Sequence, residues 1–314
     1  MCCATLARDR WQLGPHAGGD CNLNPWEFIR LAPLMERTSG SPDVAIGLID
    51  GPVAIDHPDL RDASIRTIPA AVIQGCSRLD SAACRHGTLV AGVLSARRGA
   101  RAPAICPGCT LLVRPIFGET AMRHGELPRA TPTELATAIR DTVAAGARVI
   151  NLSMATLHTS GGGERDLQMA LDHAAARGVI VVAAAGNQAL VGSTCITRHP
   201  WVMPVVASSI QGAPLDFSNL GNSIGQRGLL APGENIVSLD ARGRSIAFDG
   251  TSAAAPFVSG TIALLLAEFP AASSAEVKVA VTGAPSRRRT IVPPALDAWG
   301  SYQILARNKK HERR

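Results

Sequence analysis

Short apolar runs that end on polar turns alternate along this chain with longer stretches whose apolar residues recur every three or four positions. Val44-Ala45-Ile46-Gly47-Leu48-Ile49 is a continuous apolar run ending on Asp50-Gly51. Val179–Ala185 has the same character, which predicts two strands buried on both faces, and Leu111–Arg114, Arg148–Ser153 and Val202–Ser208 predict further strands. Between them, Arg85–Leu94 reads as an apolar helix with His86 in its first turn. Thr131-Pro132-Thr133-Glu134 is a capping box with proline at the first helical position; it opens a helix with Leu135, Ile139 and Val143 on one face, closed by Gly146. Glu164–Arg177 predicts another helix, closed by Gly178. Shorter extended pieces are predicted near Gly228–Ala231, Ile236–Leu239 and Ser245–Phe248. The turn Gly250–Pro256 then feeds a strongly apolar helix, and Ser273 or Ser274 caps a last helix around Glu276–Val281. Strands alternating with helices of this length predict an α/β fold, a doubly wound and mostly parallel sheet flanked by helices on both faces.

The pattern also divides the chain. Residues 1–40 read as an N-terminal extension that packs on the body, with a short helix within Pro25–Arg37; residues 41–285 form the domain; residues 286–314 read as a basic, flexible tail. The formal net charge of the 314 residues is +6, and the tail carries all of that surplus, with eight Lys/Arg against Asp297 and Glu312. The body is therefore balanced, which argues against a nucleic-acid-binding surface there; the tail reads as a solvated end. No apolar h-region follows Met1, and no apolar run is expected to reach the roughly 18 residues that span a bilayer. Without an export signal, the eight cysteines are expected to be mostly reduced thiols. Cys106-Pro107-Gly108-Cys109 is a single CxxC, a weak zinc signal that fits a local redox pair or two loop thiols better. Cys76, Cys84 and Cys195 lie close in sequence to candidate site residues and are read as plain loop residues or, alternatively, as lining or bracing the cleft.

Four residues carry the candidate chemistry. Asp50 ends a buried strand, His86 opens a helix, Asn187 follows a strand in Gly186-Asn187, and Ser252 starts the apolar helix. Each has a bland alternative: a turn aspartate before glycine, a packed histidine, a loop amide, a helix cap. Together, in the order Asp, His, Ser, they offer a hydroxyl, a base to take its proton and a carboxylate to orient the base. An α/β-hydrolase would run Ser, Asp, His and carry GxSxG, which is absent around Ser252.

Five ordered blocks resemble the subtilisin-like serine peptidases: Ile49-Asp50-Gly51 followed by His57-Pro58-Asp59-Leu60, His86-Gly87-Thr88, Asn151-Leu152-Ser153, Ala184-Ala185-Gly186-Asn187, and Gly250-Thr251-Ser252-Ala253-Ala254-Ala255-Pro256. The resemblance implies a triad of Asp50, His86 and Ser252 and an oxyanion hole of the Asn187 amide and the Ser252 N–H. It also implies two backbone walls around the substrate side chain, Leu152, Ser153, Met154 and Ala155 on one side and Ala183, Ala184, Ala185 and Gly186 on the other. Met154-Ala155 replaces the family's usual Leu-Gly, Ala253 its usual Met, and Phe257 a frequent His. A second resemblance, through Asp50-Gly51-Pro52-Val53, Arg114–Phe117, Pro214–Asn219 and Leu230–Ile236, is to the protease domains of cyanobactin maturation enzymes. It implies processing of a ribosomally made precursor peptide in the cytoplasm, a peptide substrate and no cofactor. Secreted subtilisins carry a calcium loop where this chain has Ser95–Ala104, which holds three Arg and no Asp or Asn. That site is expected to be missing, and no metal is implied. The region before the first strand is also short for an inhibitory propeptide. Both features imply an intracellular enzyme.

Overall fold

Burial on both faces sets the architecture. The computed structural model describes residues 25–70, 75–119, 130–153, 163–283 and 290–312. In chain order the elements are α1 (Pro25–Phe28), α2 (Ala32–Arg37), β1 (Ala45–Asp50), β2 (Ile65–Thr67), α3 (Ala82–Ser95), β3 (Thr110–Pro115), α4 (Pro132–Ala144), β4 (Val149–Leu152), α5 (Glu164–Ala176) and β5 (Ile180–Ala184). They continue with α6 (Cys195–Arg198), β6 (Val202–Ser208), α7 (Asn222–Arg227), β7 (Leu229–Pro232), β8 (Ile236–Asp240), β9 (Arg244–Phe248), α8 (Thr251–Glu268), α9 (Ser274–Thr282) and α10 (Ala298–Glu312). Seven strands form one parallel sheet in the order β2-β3-β1-β4-β5-β6-β7, and β8 and β9 pair as a separate antiparallel hairpin. This is the doubly wound α/β fold that the sequence pattern predicts.

Alternation along each strand splits the core into two layers. On β1, Ile46 and Leu48 join Val90, Leu94, Phe257 and Leu265 beneath α3 and α8. Ala45 and Ile49 face Leu135, Ile139, Leu167 and Leu171 on α4 and α5. The Thr131–Glu134 box caps α4 as expected, with the Glu134 backbone N–H and the Thr131 hydroxyl 3.2 Å apart. Helix α8 is buried from Thr251 to Leu266 and apolar all round, as a helix enclosed by other elements must be. Contrary to the sequence expectation, its length and hydropathy do reach those of a membrane span. It is 89% buried within the protein, where it serves as the central helix.

The C-terminal expectation also needs correction. Residues 290–312 are not a flexible tail. The Leu230 N–H donates to Pro294 O (2.7 Å) and the Leu296 N–H to Leu230 O (2.8 Å), laying this segment beside β7. Helix α10 then docks on α9 and α2, with Ala298, Ser301 and Leu305 buried. Trp299 stacks on Tyr302 at 4.8 Å, and the Arg37 guanidinium sits 4.9 Å from the Tyr302 ring centre. Positions 298, 301, 302 and 305 form one helical stripe. The run of charge around them hides that stripe in the sequence.

Within Ser95–Ala104, Arg98 ties the chain to α2. Arg98 donates through Nη1 to Met35 O (2.8 Å) and through Nη2 to Ile105 O (2.9 Å) and Thr38 O (3.2 Å). Two of these carbonyls belong to the end of α2, where helical C=O groups lack partners and negative partial charge collects. Arg98→Met keeps the stem and removes the donors. It is expected to cost about 1–2 kcal/mol, because carbonyls are left unsatisfied. Thermal unfolding followed by circular dichroism would show a lower midpoint; an unchanged midpoint would mean that the carbonyls find other partners.

Candidate active site

Asp50 closes β1 and His86 lies one turn into α3, and glycines bring the two elements together. A Cβ on Gly87 would collide with the Gly51 and Pro52 carbonyls, and one on Gly51 with the Ala83 carbonyl. Only bare backbone allows this approach. His86 Nδ1 then lies 2.7 Å from Asp50 Oδ1, which also accepts the Gly51 N–H at 2.6 Å. A carboxylate only accepts, so Nδ1 carries the proton, the tautomer in which Nε2 is the basic nitrogen. Asp50 is fully buried while the His86 side chain is 19% exposed. Burial alone would lower the His86 pKa; the charge and hydrogen bond of Asp50 outweigh it and raise it above the ordinary histidine value.

The loop leading into α3 is held independently. Glu119 accepts from the Ser77 and Arg78 N–H groups, both at 2.9 Å, and from the Ser77 and Ser81 hydroxyls. Its pKa falls because these bonds overcome the opposing effect of burial. Cys76 and Cys84 are bridged, with Cα atoms 5.5 Å apart, which corrects the expectation of reduced thiols for this pair. Folding places Cys76 and Cys84 within bridging range. Cys106 and Cys109 are buried free thiols, and Cys195 is a half-buried one. A cavity of about 440 Å³ lies alongside, lined by Pro52, Val53, His57, Cys76, Leu79 and Ala241 among others. Neither His86 nor Ser252 lines it.

At the other side of the site, Asn187 Oδ1 accepts both the backbone N–H and the hydroxyl of Thr251, each at 2.9 Å. A backbone N–H can only donate, so this contact fixes the amide orientation and leaves Nδ2 as the outward donor. Thr251 Oγ1 in turn accepts the Gly186 N–H at 3.1 Å. The next residue is Ser252, on the first turn of α8 and 4% exposed. A Cβ built on Gly250 would lie 3.0 Å from Asn187 Nδ2 and 3.4 Å from Ser252 Oγ, so amide and hydroxyl converge on one point. Ser252 Oγ makes no hydrogen bond, and the His86–Ser252 contact is therefore open. Such contacts are commonly long without substrate and tighten when it binds.

Pro256 sits inside α8 and has no N–H to offer the Ser252 carbonyl one turn back. That carbonyl receives the Ser153 hydroxyl instead, at 3.4 Å. Ser153 Oγ also accepts from Asn151 Nδ2 (2.6 Å), and Asn151 Oδ1 accepts from Ser259 Oγ (2.9 Å). A buried polar chain thus ties the start of α8 to the end of β4. Leu152 pairs in register with Ala183 and Ala184 with Val205 at the end of β5, and Ser153, Ala185 and Gly186 continue the two strands past the sheet. Met154 and Ala155 lie outside the described residues. Sequence reasoning named Asn151 and Ser153 as motif residues but missed that Ser259 completes their chain; its signal is one hydroxyl among several on a mostly apolar helix.

The chain order Asp, His, Ser on a parallel sheet is one of three unrelated ways of building this chemistry, and fold and site together define a serine peptidase of the subtilisin kind. Comparison with known proteins agrees: residues 41–293 match the Subtilase family, Peptidase S8, and the chain belongs to it. It is a subtilisin-like serine endopeptidase. Its sequence is 28% identical to subtilisin DY of Bacillus licheniformis over 248 residues, 75% of this chain and 81% of the relative. Among solved structures, the protease domain of PatA is similar with a TM-score of 0.77 and 32% identity, covering 86% of this chain and 97% of that one. The prenylagaramide maturation protease PagA is similar with a TM-score of 0.75 and 28% identity, over 88% and 98% of the two chains.

Proposed function

We propose that Ser252 is the nucleophile, His86 its general base and Asp50 the carboxylate that orients His86. His86 Nε2 takes the Ser252 proton as Oγ attacks the scissile carbonyl. The oxyanion is met by Asn187 Nδ2 and the Ser252 N–H, the latter reinforced by the positive end of α8. The imidazolium then protonates the leaving amine, and water, activated by the same base, releases the acyl-enzyme. Leu152 and Ser153 on one side and Ala183, Ala184, Ala185 and Gly186 on the other hold the substrate side chain.

We further propose that the substrate is a ribosomally made precursor peptide, cut at a defined site in the cytoplasm. The observation that carries this is the likeness to PatA and PagA over 97% and 98% of those chains. The Cys76–Cys84 bridge is unusual for a reducing compartment, where such pairs are mostly kept as thiols. Profiling cleavage of a randomised peptide library is expected to concentrate on one sequence context. Cuts spread over many contexts would point to general protein turnover instead.

A further inference from the structure

Asn187 stands on a loop that does not hold its own shape. Ala189 has a φ of +54°, a left-handed conformation that costs a non-glycine residue about 1–2 kcal/mol, and Gly186 has a φ of +105°. Something outside the loop must impose this path, and one side chain meets it on both flanks of Asn187. Asn219 Oδ1 accepts the Gln188 N–H (3.1 Å) and the Leu190 N–H (3.0 Å). Asn219 Nδ2 donates to Ala185 O (3.0 Å) and to Gln188 Oε1 (2.8 Å). The Asn219 backbone N–H donates to Gly186 O at 2.9 Å. The residue is 6% exposed, and all four hydrogen-bonding positions of its amide are used on residues 185–190. A Cβ on Gly186 would collide with Asn219 Nδ2, so the loop glycine and the asparagine form one fitted contact.

We propose that Asn219 is a positioning residue for the oxyanion hole: its amide fixes the backbone before and after Asn187, so that Asn187 Nδ2 is already aimed where charge develops. This inference rests on the reading of Asn187 as an oxyanion donor. A preorganised donor stabilises the transition state more than the bound substrate, so loosening it lowers kcat and leaves KM largely unchanged. Serine or alanine at position 219 cannot span both flanks. Aspartate keeps the two accepting bonds and loses the two donated ones.

The test is a double-mutant cycle with a quenched-fluorescent peptide that the wild-type enzyme cleaves. Asn219→Ala is expected to lower kcat about tenfold, equivalent to about 1.4 kcal/mol, with KM within about twofold. In an Asn187→Ala background the same substitution is expected to change kcat by less than about twofold, because the donor it positions is gone. An equal loss in both backgrounds would overturn the inference and leave Asn219 with a structural role. If Asn187→Ala itself leaves kcat unchanged, the oxyanion reading fails first, whatever Asn219 does. Should Asn219→Ala not fold, Asn219→Asp is measured against a peptide boronate, whose adduct places an oxygen in the hole. Weaker boronate binding with unchanged binding of the cleaved product peptide supports the positioning role, and equal losses in both overturn it.

Discussion

Ser252→Ala is expected to lower peptide hydrolysis by about 10⁶-fold, a scale set by measurements on subtilisin, a relative of this chain. It is also expected to abolish labelling by a fluorophosphonate probe. The fold should survive, because Ser252 Oγ makes no hydrogen bond that alanine would lose. The residual rate should come from the Asn187 amide and the Ser252 backbone N–H, which the substitution leaves in place. Labelling that persists in the variant would move the nucleophile elsewhere. Labelling of neither enzyme would leave a peptide-binding chain without turnover.

Asp50→Asn should be the next most damaging change, with kcat reduced about 10⁴-fold, because an amide can donate to Nδ1 and select the wrong tautomer. It also carries a pH signature. The base works only when neutral, and Asp50 raises the His86 pKa, so wild-type kcat/KM should fall with acidification along a limb centred above the ordinary histidine value of about 6.5. With the carboxylate gone, burial prevails and lowers the His86 pKa, and the limb should move to lower pH. The variant would therefore be slow yet retain its own activity further into acid. Profiles of kcat/KM against pH for both enzymes test this; a limb that does not move would mean that Asp50 does not govern the base.

The strands and helices were legible in the sequence wherever the signal is local. β1, β5 and β6 are unbroken apolar runs, and the capping box at Thr131 and the closing Gly146 mark their helix without ambiguity. Asp50, His86, Asn187 and Ser252 were legible as candidates because each sits at or near the end of an element, next to glycines that a packed element does not otherwise need. What was not legible depends on contacts distant in sequence. β2 is three residues long with no buried position, so it has no pattern to read. Helix α10 carries its apolar stripe among basic residues. The Ser259–Asn151–Ser153 chain and the Asn219 clamp join residues about 30 to 100 apart through hydrogen bonds that only the folded chain brings into reach. The Cys76–Cys84 pair looks in sequence like any two loop thiols.

Arg98 bears on how such an enzyme keeps its shape. Stabilisation by a bound ion grows with the logarithm of the ion's concentration, so it varies with the medium and is removed by a chelator. The guanidinium that joins the end of α2 to the Ile105 carbonyl has no concentration term. Its occupancy is complete once the chain is folded, and it does not exchange. A chelator therefore leaves this support in place.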